Sequence, residues 1–532
     1  MRSLSFAGAS TAALFAPLAT LPSLVPRAAV IQGLLIALVA AATYAAGAGI
    51  GWIIRVSRRQ PDWHTGSRLK TVGITLAALW LLVWLGLGFT WQRDLSEVTR
   101  TEPPDLLWPL LSLVAAALMS LVLLGIGRGI RLAVLFLRQR LSRYCGTRWA
   151  TFIVAVAVAL IAIPLISGRA LPVLLLPLDP LFMSMNNSGS ESAEPNLSTV
   201  SGGPDSDISW QTLGAEGRKF IGSTNTVEQL NEFSGGGAIT PVRVFAGYES
   251  AASAEQRAQL ALEDLKRFGA FNRSVLLVGT STGTGTVDES AVQPLELMYN
   301  GDTATVATQY SVLPSFLSFL LDQQTAQDEA IALFSAVHEY WSGLEPGQRP
   351  RLVIFGESLG AFGATAPFTD LEDLTSQTDG ALLAGPPNST PFWAYYTQRR
   401  DSGSPERQPV FDRGRSLRWA NLPQALNQPT ARWRGARIGY LQNASDPVVW
   451  WSPNLIWEQP DWLREPRGPG VLPDLTWLPL FTFVGLSGDM IDSQSVPVGF
   501  GHVYGNHEAA AWTTILPPKG WDSDDTTRLL ER

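Results

Sequence analysis

The chain has 532 residues, 46% hydrophobic and only 16% charged, with a formal net charge of −7. It is too apolar for an ordinary soluble enzyme and long enough for at least two domains. One cysteine, Cys145, excludes an internal disulfide framework and a cysteine-based metal site, and the lack of a basic patch with interleaved aromatics argues against nucleic acid as a partner.

The apolarity is concentrated at the front. Residues 1–176 carry a net charge of +11 and residues 177–532 a net −18, so a basic apolar part precedes an acidic globular one. Five stretches have about the 20 apolar residues that a membrane-spanning helix needs: 5–25, 29–54, 69–90, 106–126 and 150–176. Arg55, Arg58, Arg59, Arg68 and Lys70 lie between the second and third. Arg128, Arg131, Arg138, Arg140, Arg143 and Arg148 lie between the fourth and fifth. Between the third and fourth, Arg93 and Arg100 are balanced by Asp94, Glu97, Glu102 and Asp105. The positive-inside rule then puts the N-terminus in the cytoplasm and everything after residue 176 outside it. The first stretch, with Pro17, Pro22 and Pro26, reads either as an irregular uncleaved span or as a secretion signal.

Residues 177–208 have the composition of a flexible linker. Apolar strand-like runs then alternate with amphipathic helical ones. A run at Val242–Ala246 precedes a helix at Ala254–Arg267; runs at 274–279 and 304–309 precede helices at 289–299 and 326–341. Later strands fall at 351–355, Gly380–Ala384 and Arg437–Leu441. This order predicts an α/β domain over 209–518 with a mainly parallel sheet, followed by a tail at 519–532. Its site belongs at the carboxyl ends of the strands.

Directly after the run at 351–355 stands Gly356-Glu357-Ser358-Leu359-Gly360, the pattern of a nucleophile elbow, in which a sharp strand-to-helix turn exposes a serine hydroxyl. Gly279-Thr280-Ser281-Thr282-Gly283 matches the same pattern, but loop chemistry follows it, whereas small residues that can enter a helix follow Ser358. Ser358 is therefore the preferred nucleophile. A serine needs a base and a carboxylate to orient that base. Of the four histidines, His64 and His338 lie upstream, leaving His502 and His507; His502 is preferred because glycines precede it. Asp446, just beyond a predicted strand end, is the preferred acid, with Asp489 as competitor. The oxyanion donors expected are the backbone N–H of Leu359 and that of Thr280 or Ser281. With no lysine after it, the Gly/Thr-rich loop is not a phosphate loop, and neither a metal nor another cofactor is expected.

The chain resembles the actinobacterial membrane α/β-hydrolases. The resemblance rests on Leu21-Pro22-Ser23-Leu24-Val25-Pro26-Arg27, Gly283-Thr284-Gly285, Gln309-Tyr310-Ser311-Val312-Leu313-Pro314-Ser315, the elbow, Ser445-Asp446-Pro447 and Gly501-His502-Val503-Tyr504. It implies an α-helical transmembrane N-terminal domain joined to an α/β-hydrolase-type domain. Phe500 stands where members tend to carry histidine, a departure that favours His502 as the base. Some related membrane hydrolases remove aminoacyl groups from lipids.

An insertion at about 448–495 holds Trp450, Trp451, Trp457, Trp462 and Trp477. It reads either as a lid that admits lipid or envelope esters or as ordinary aromatic core. Two functions follow: a membrane-anchored serine esterase or acyltransferase acting outside the cytoplasm, or a non-catalytic membrane protein whose hydrolase-like domain binds a ligand or partner.

Overall fold

The computed structural model describes residues 5–58, 67–166, 176–188 and 192–532. His64 and part of the fifth expected span lie outside them. The chain divides into two compact units, one of residues 1–170 with 451–497 and the other of residues 171–450 with 498–532.

Among the described residues of the first unit, three helices are long and apolar enough to cross a membrane: Ala29–Ile54, Thr71–Thr99 and Trp108–Pro164, with mean hydropathies of 2.0, 2.1 and 2.5. They leave large apolar side chains exposed, such as Ile74 at 70%, Leu121 at 65% and Leu160 at 68%. The first stretch is a ten-residue helix, Phe6–Phe15, tightening into a 3-10 turn at Ala16–Thr20 around Pro17. Ten residues rise only about 15 Å, half of a bilayer core. The fourth and fifth stretches fall on two successive helices within Trp108–Ile166 that meet at Gly146, where φ 74° and ψ 161° interrupt the helix. The arginines expected in a loop there lie on helix.

The Trp-rich insertion groups with these helices rather than with the catalytic domain to which the sequence reading assigned it. Its Phe481–Asp492 helix adds Phe481 and Val484 to a core of Ala16, Ala19, Leu35, Ile36, Val39, Leu85 and Ala116. A polar anchor accompanies this packing. Asp489 accepts hydrogen bonds from the Leu24 N–H (2.8 Å) and from Arg27 Nε (2.6 Å), and both charged side chains are fully buried. Asp492 accepts from the Ala28 N–H at 2.9 Å. The Leu21-to-Arg27 motif thus supplies the donors that hold the insertion. Of the five tryptophans, Trp450 and Trp462 are buried, Trp451 and Trp477 half-buried, and Trp457 is exposed.

The second unit is built on a seven-stranded, wholly parallel sheet in the order β1-β3-β2-β4-β5-β7-β6. The strands are β1 Val242–Ala246, β2 Val275–Thr280, β3 Thr303–Thr308, β4 Arg351–Glu357, β5 Gly380–Ala384, β6 Leu417–Ala420 and β7 Arg437–Leu441. Helices such as Ala254–Arg267 and Gln323–Ser342 fill the crossovers. Because both faces are covered, the central strands read as continuous apolar runs: Leu352, Val353, Ile354 and Phe355 are all buried. Each such side chain contributes about 1.5–3 kcal/mol.

Two segments expected outside the domain belong to it. In the expected linker, Asp179–Asn187 is a helix whose Asn186 accepts a hydrogen bond from Gln309 Nε2 (2.7 Å), and Val200 bridges Arg243 of β1. In the expected tail, Ser523–Leu530 is a helix capped by Asp522, with the Arg528 guanidinium over the Phe233 ring.

Candidate active site

Ser358 stands between β4 and the Leu359–Ala364 helix with φ 56° and ψ −123°, a conformation that L-residues rarely adopt. Its N–H donates to the Ala384 carbonyl of β5 (2.8 Å), and its carbonyl accepts from Ala361 (3.0 Å) and Phe362 (3.2 Å). The flanking glycines are there for space: a Cβ on Gly356 would lie 2.3 Å from the Gly360 carbonyl oxygen, and one on Gly360 would lie 2.3 Å from that of Thr280. The turn is therefore sharp, and it holds a partly exposed serine at the carboxyl edge of the sheet.

Ser281 has a different environment. It is 1% exposed and donates its hydroxyl to the Thr308 carbonyl at 2.8 Å, so its pattern is a packed loop rather than a second elbow. Thr280 closes β2 in register with Gly356, so the chain leaves β2 beside the elbow, where the sequence reading expects the second oxyanion donor. Leu359 opens the helix after Ser358. The Gly283-Thr284-Gly285 and Gln309 motifs meet here too, with Gln309 Nε2 donating to the Thr284 carbonyl at 2.8 Å.

Asp446 lies beyond β7, fully buried. Its Oδ2 is 2.7 Å from His502 Nδ1 and accepts from the Tyr504 hydroxyl at 2.6 Å, while Oδ1 accepts from the Val448 N–H at 2.8 Å. Two neighbours brace the histidine loop. Asn443 Nδ2 donates to the Gly501 carbonyl (2.9 Å), and the Gly501 N–H donates to Ser445 Oγ (3.0 Å). Gly385, directly after β5, makes room for the imidazole, since a Cβ there would lie 2.6 Å from His502 Cε1. Because Ser358 is bonded to Ala384, the residue before Gly385, the serine and the imidazole share one strand end.

Burial opposes the charged imidazolium of His502, but the Asp446 carboxylate, through its charge and hydrogen bond, and Glu357 outweigh it and raise the pKa. Burial pushes His507 the other way; its ring lies against Gly499. Asp489 is engaged by Arg27 in the other unit. The structure thus places Ser358 and Leu359 after β4, Thr280 at the end of β2 and His502 against Asp446 beyond β7, and gives Ser281 and Asp489 other partners. Sequence reasoning missed Tyr504, Asn443 and Ser445 as supports, although Tyr504 lies only two residues from the histidine. A partly exposed serine, an imidazole and a buried carboxylate in this order can carry nucleophilic acyl transfer.

Residues 242–529 match the model of a family described as Alpha/beta-hydrolase family, and residues 21–224 match one described as Alpha/beta-hydrolase family N-terminus. No curated protein and no solved structure matches the chain.

Proposed function

The chain belongs to the alpha/beta-hydrolase family, and on that premise we propose that it is a membrane-anchored serine hydrolase that cleaves an acyl ester of a lipid or envelope component. The observation that carries this reading is the His502–Asp446 hydrogen bond beside a serine held at positive φ. In the proposed reaction, His502 Nε2 takes the Ser358 proton as Oγ attacks the ester carbonyl. The oxyanion is received by the N–H groups of Leu359 and Thr280. Collapse of the intermediate breaks the acyl–oxygen bond; His502 returns the proton to the leaving alcohol, and water, deprotonated by the same imidazole, releases the acid. An alcohol in place of that water makes the enzyme an acyltransferase.

The three long apolar helices support a bilayer as the setting, and the arginine distribution supports an extracytoplasmic domain. An aminoacylated lipid is the first ester to offer. Fluorophosphonate labelling of the purified full-length protein tests the chemistry: label is expected on wild type, Ser281→Ala and His507→Ala, and lost in Ser358→Ala and His502→Ala. Folded wild type that takes no label sinks the reading, and retention by Ser358→Ala moves the nucleophile elsewhere.

A further inference from the structure

Beside the elbow, three carboxylates converge from separate elements. Asp288 caps the Glu289–Met298 helix and accepts from the Ser290 N–H at 2.7 Å. Glu357 is the last residue of β4, immediately before Ser358. Glu508 lies in the first turn of the Asn506–Ile515 helix, six residues after His502. One carboxylate oxygen from each lies within 4.8 Å of the others. Glu508 is the decisive member, because it is fully buried and neither of its oxygens has a hydrogen-bond donor among the described residues. A buried carboxylate without a donor is strongly unfavourable unless a proton or a cation neutralises it. Burial and the negative neighbours Asp288 and Glu357 push the Glu508 pKa well above the usual carboxylate range.

We propose that Asp288, Glu357 and Glu508 bind one Ca²⁺ ion. An all-oxygen, all-carboxylate donor set selects a hard cation over a transition metal. Oxygens all within 4.8 Å of one another lie inside the span of two Ca²⁺–O bonds of about 2.4 Å, and Ca²⁺ accepts the irregular shell that three carboxylates from separate elements offer, whereas Mg²⁺ demands near-ideal octahedral geometry. Asp288 and Glu357 are partly exposed, so water can complete the shell. The ion ties the loop after β2, the elbow and the helix behind the histidine loop into one support for Ser358 and His502.

The test is equilibrium dialysis of the full-length protein in detergent against Ca²⁺, with thermal melting in Ca²⁺ and in chelator. Wild type and Ser358→Ala are both expected to bind about one Ca²⁺ per chain and to melt roughly 5 °C higher in Ca²⁺. Binding by Ser358→Ala makes the result independent of the hydrolase reading. Glu508→Gln is expected to lose about a hundredfold in affinity and the Ca²⁺-dependent rise, while melting in chelator no lower than wild type, since it relieves repulsion. No stoichiometric Ca²⁺ on wild type with identical melting in both buffers overturns the proposal. So does wild-type affinity in Glu508→Gln, and equal competition by Mg²⁺ overturns the choice of ion.

Discussion

In the proposed reaction His502 must be neutral to accept the serine proton, and in the ion-free protein burial lowers its pKa but the charge and hydrogen bond of Asp446, with a smaller push from Glu357, raise it above the ordinary value of 6.5. The ascending limb of activity against pH is therefore expected above that of an ordinary histidine, as a pH profile of kcat/KM will read. The same shift adds stability below about pH 6.5 that is lost as pH rises through the folded-state value. Asp446→Asn removes the raising charge and leaves burial, so the limb should move to lower pH while kcat falls about 10⁴-fold. Tyr504→Phe takes one donor from Asp446. It should cost about 1.5–3 kcal/mol of stability and move the limb to higher pH, since a less satisfied carboxylate holds the imidazolium more tightly. Retained kcat with an unmoved limb in Tyr504→Phe would leave that hydroxyl a packing role only. The elbow geometry at Ser358 and the pairing of Asp446 with His502 were legible as candidates because turn chemistry and order along the chain are local properties. The packed setting of Ser281 is not written locally, because its bond to the Thr308 carbonyl spans 27 residues of sequence.

Among the elements, those with a clean apolar period were the readable ones: β1, β5, β7 and the Ala254–Arg267 helix have the predicted bounds. The Leu417–Ala420 strand β6 was not predicted. It is four residues long and contains Arg418, a charge that argues against a buried strand. In the fold Arg418 is 3% exposed and donates to the carbonyls of Gly414 and Leu426, partners that no local pattern reveals. The Phe481–Asp492 helix shows the same limit. Its apolar run fits a lid and a core equally well, and only the packing of Phe481 and Val484 and the Arg27–Asp489 pair show that it contributes to the core of the helical unit. Asp489→Ala leaves a buried guanidinium unpaired and should destabilise that unit by about 3–5 kcal/mol, measurable as a lower melting temperature in detergent with the fluorophosphonate site still reactive below the transition. An unchanged melting temperature would remove Asp489 from the anchor.

At the scale of the molecule, the proposed topology, with the second unit outside the cytoplasm, rests on the arginine distribution. The single Cys145 makes this measurable. In intact cells a membrane-impermeant maleimide should leave Cys145 unlabelled and should label Ser402→Cys in a Cys145→Ser background, since Ser402 is exposed on the second unit. Labelling of Ser402→Cys only after permeabilisation reverses the topology.

What the sequence by itself determined is whatever is written in neighbouring residues: the apolar front, the alternation that makes a parallel sheet, the elbow and the order of serine, acid and histidine. Only the tertiary structure decided which segments share a core. It moved residues 451–497 to the helical unit, drew parts of the expected linker and tail into the second unit, and brought Asp288, Glu357 and Glu508 within reach of one another. The physical reason is that hydrogen-bond partners and buried charges are chosen through space, and residues far apart along the chain carry no local sign of the partner they will meet.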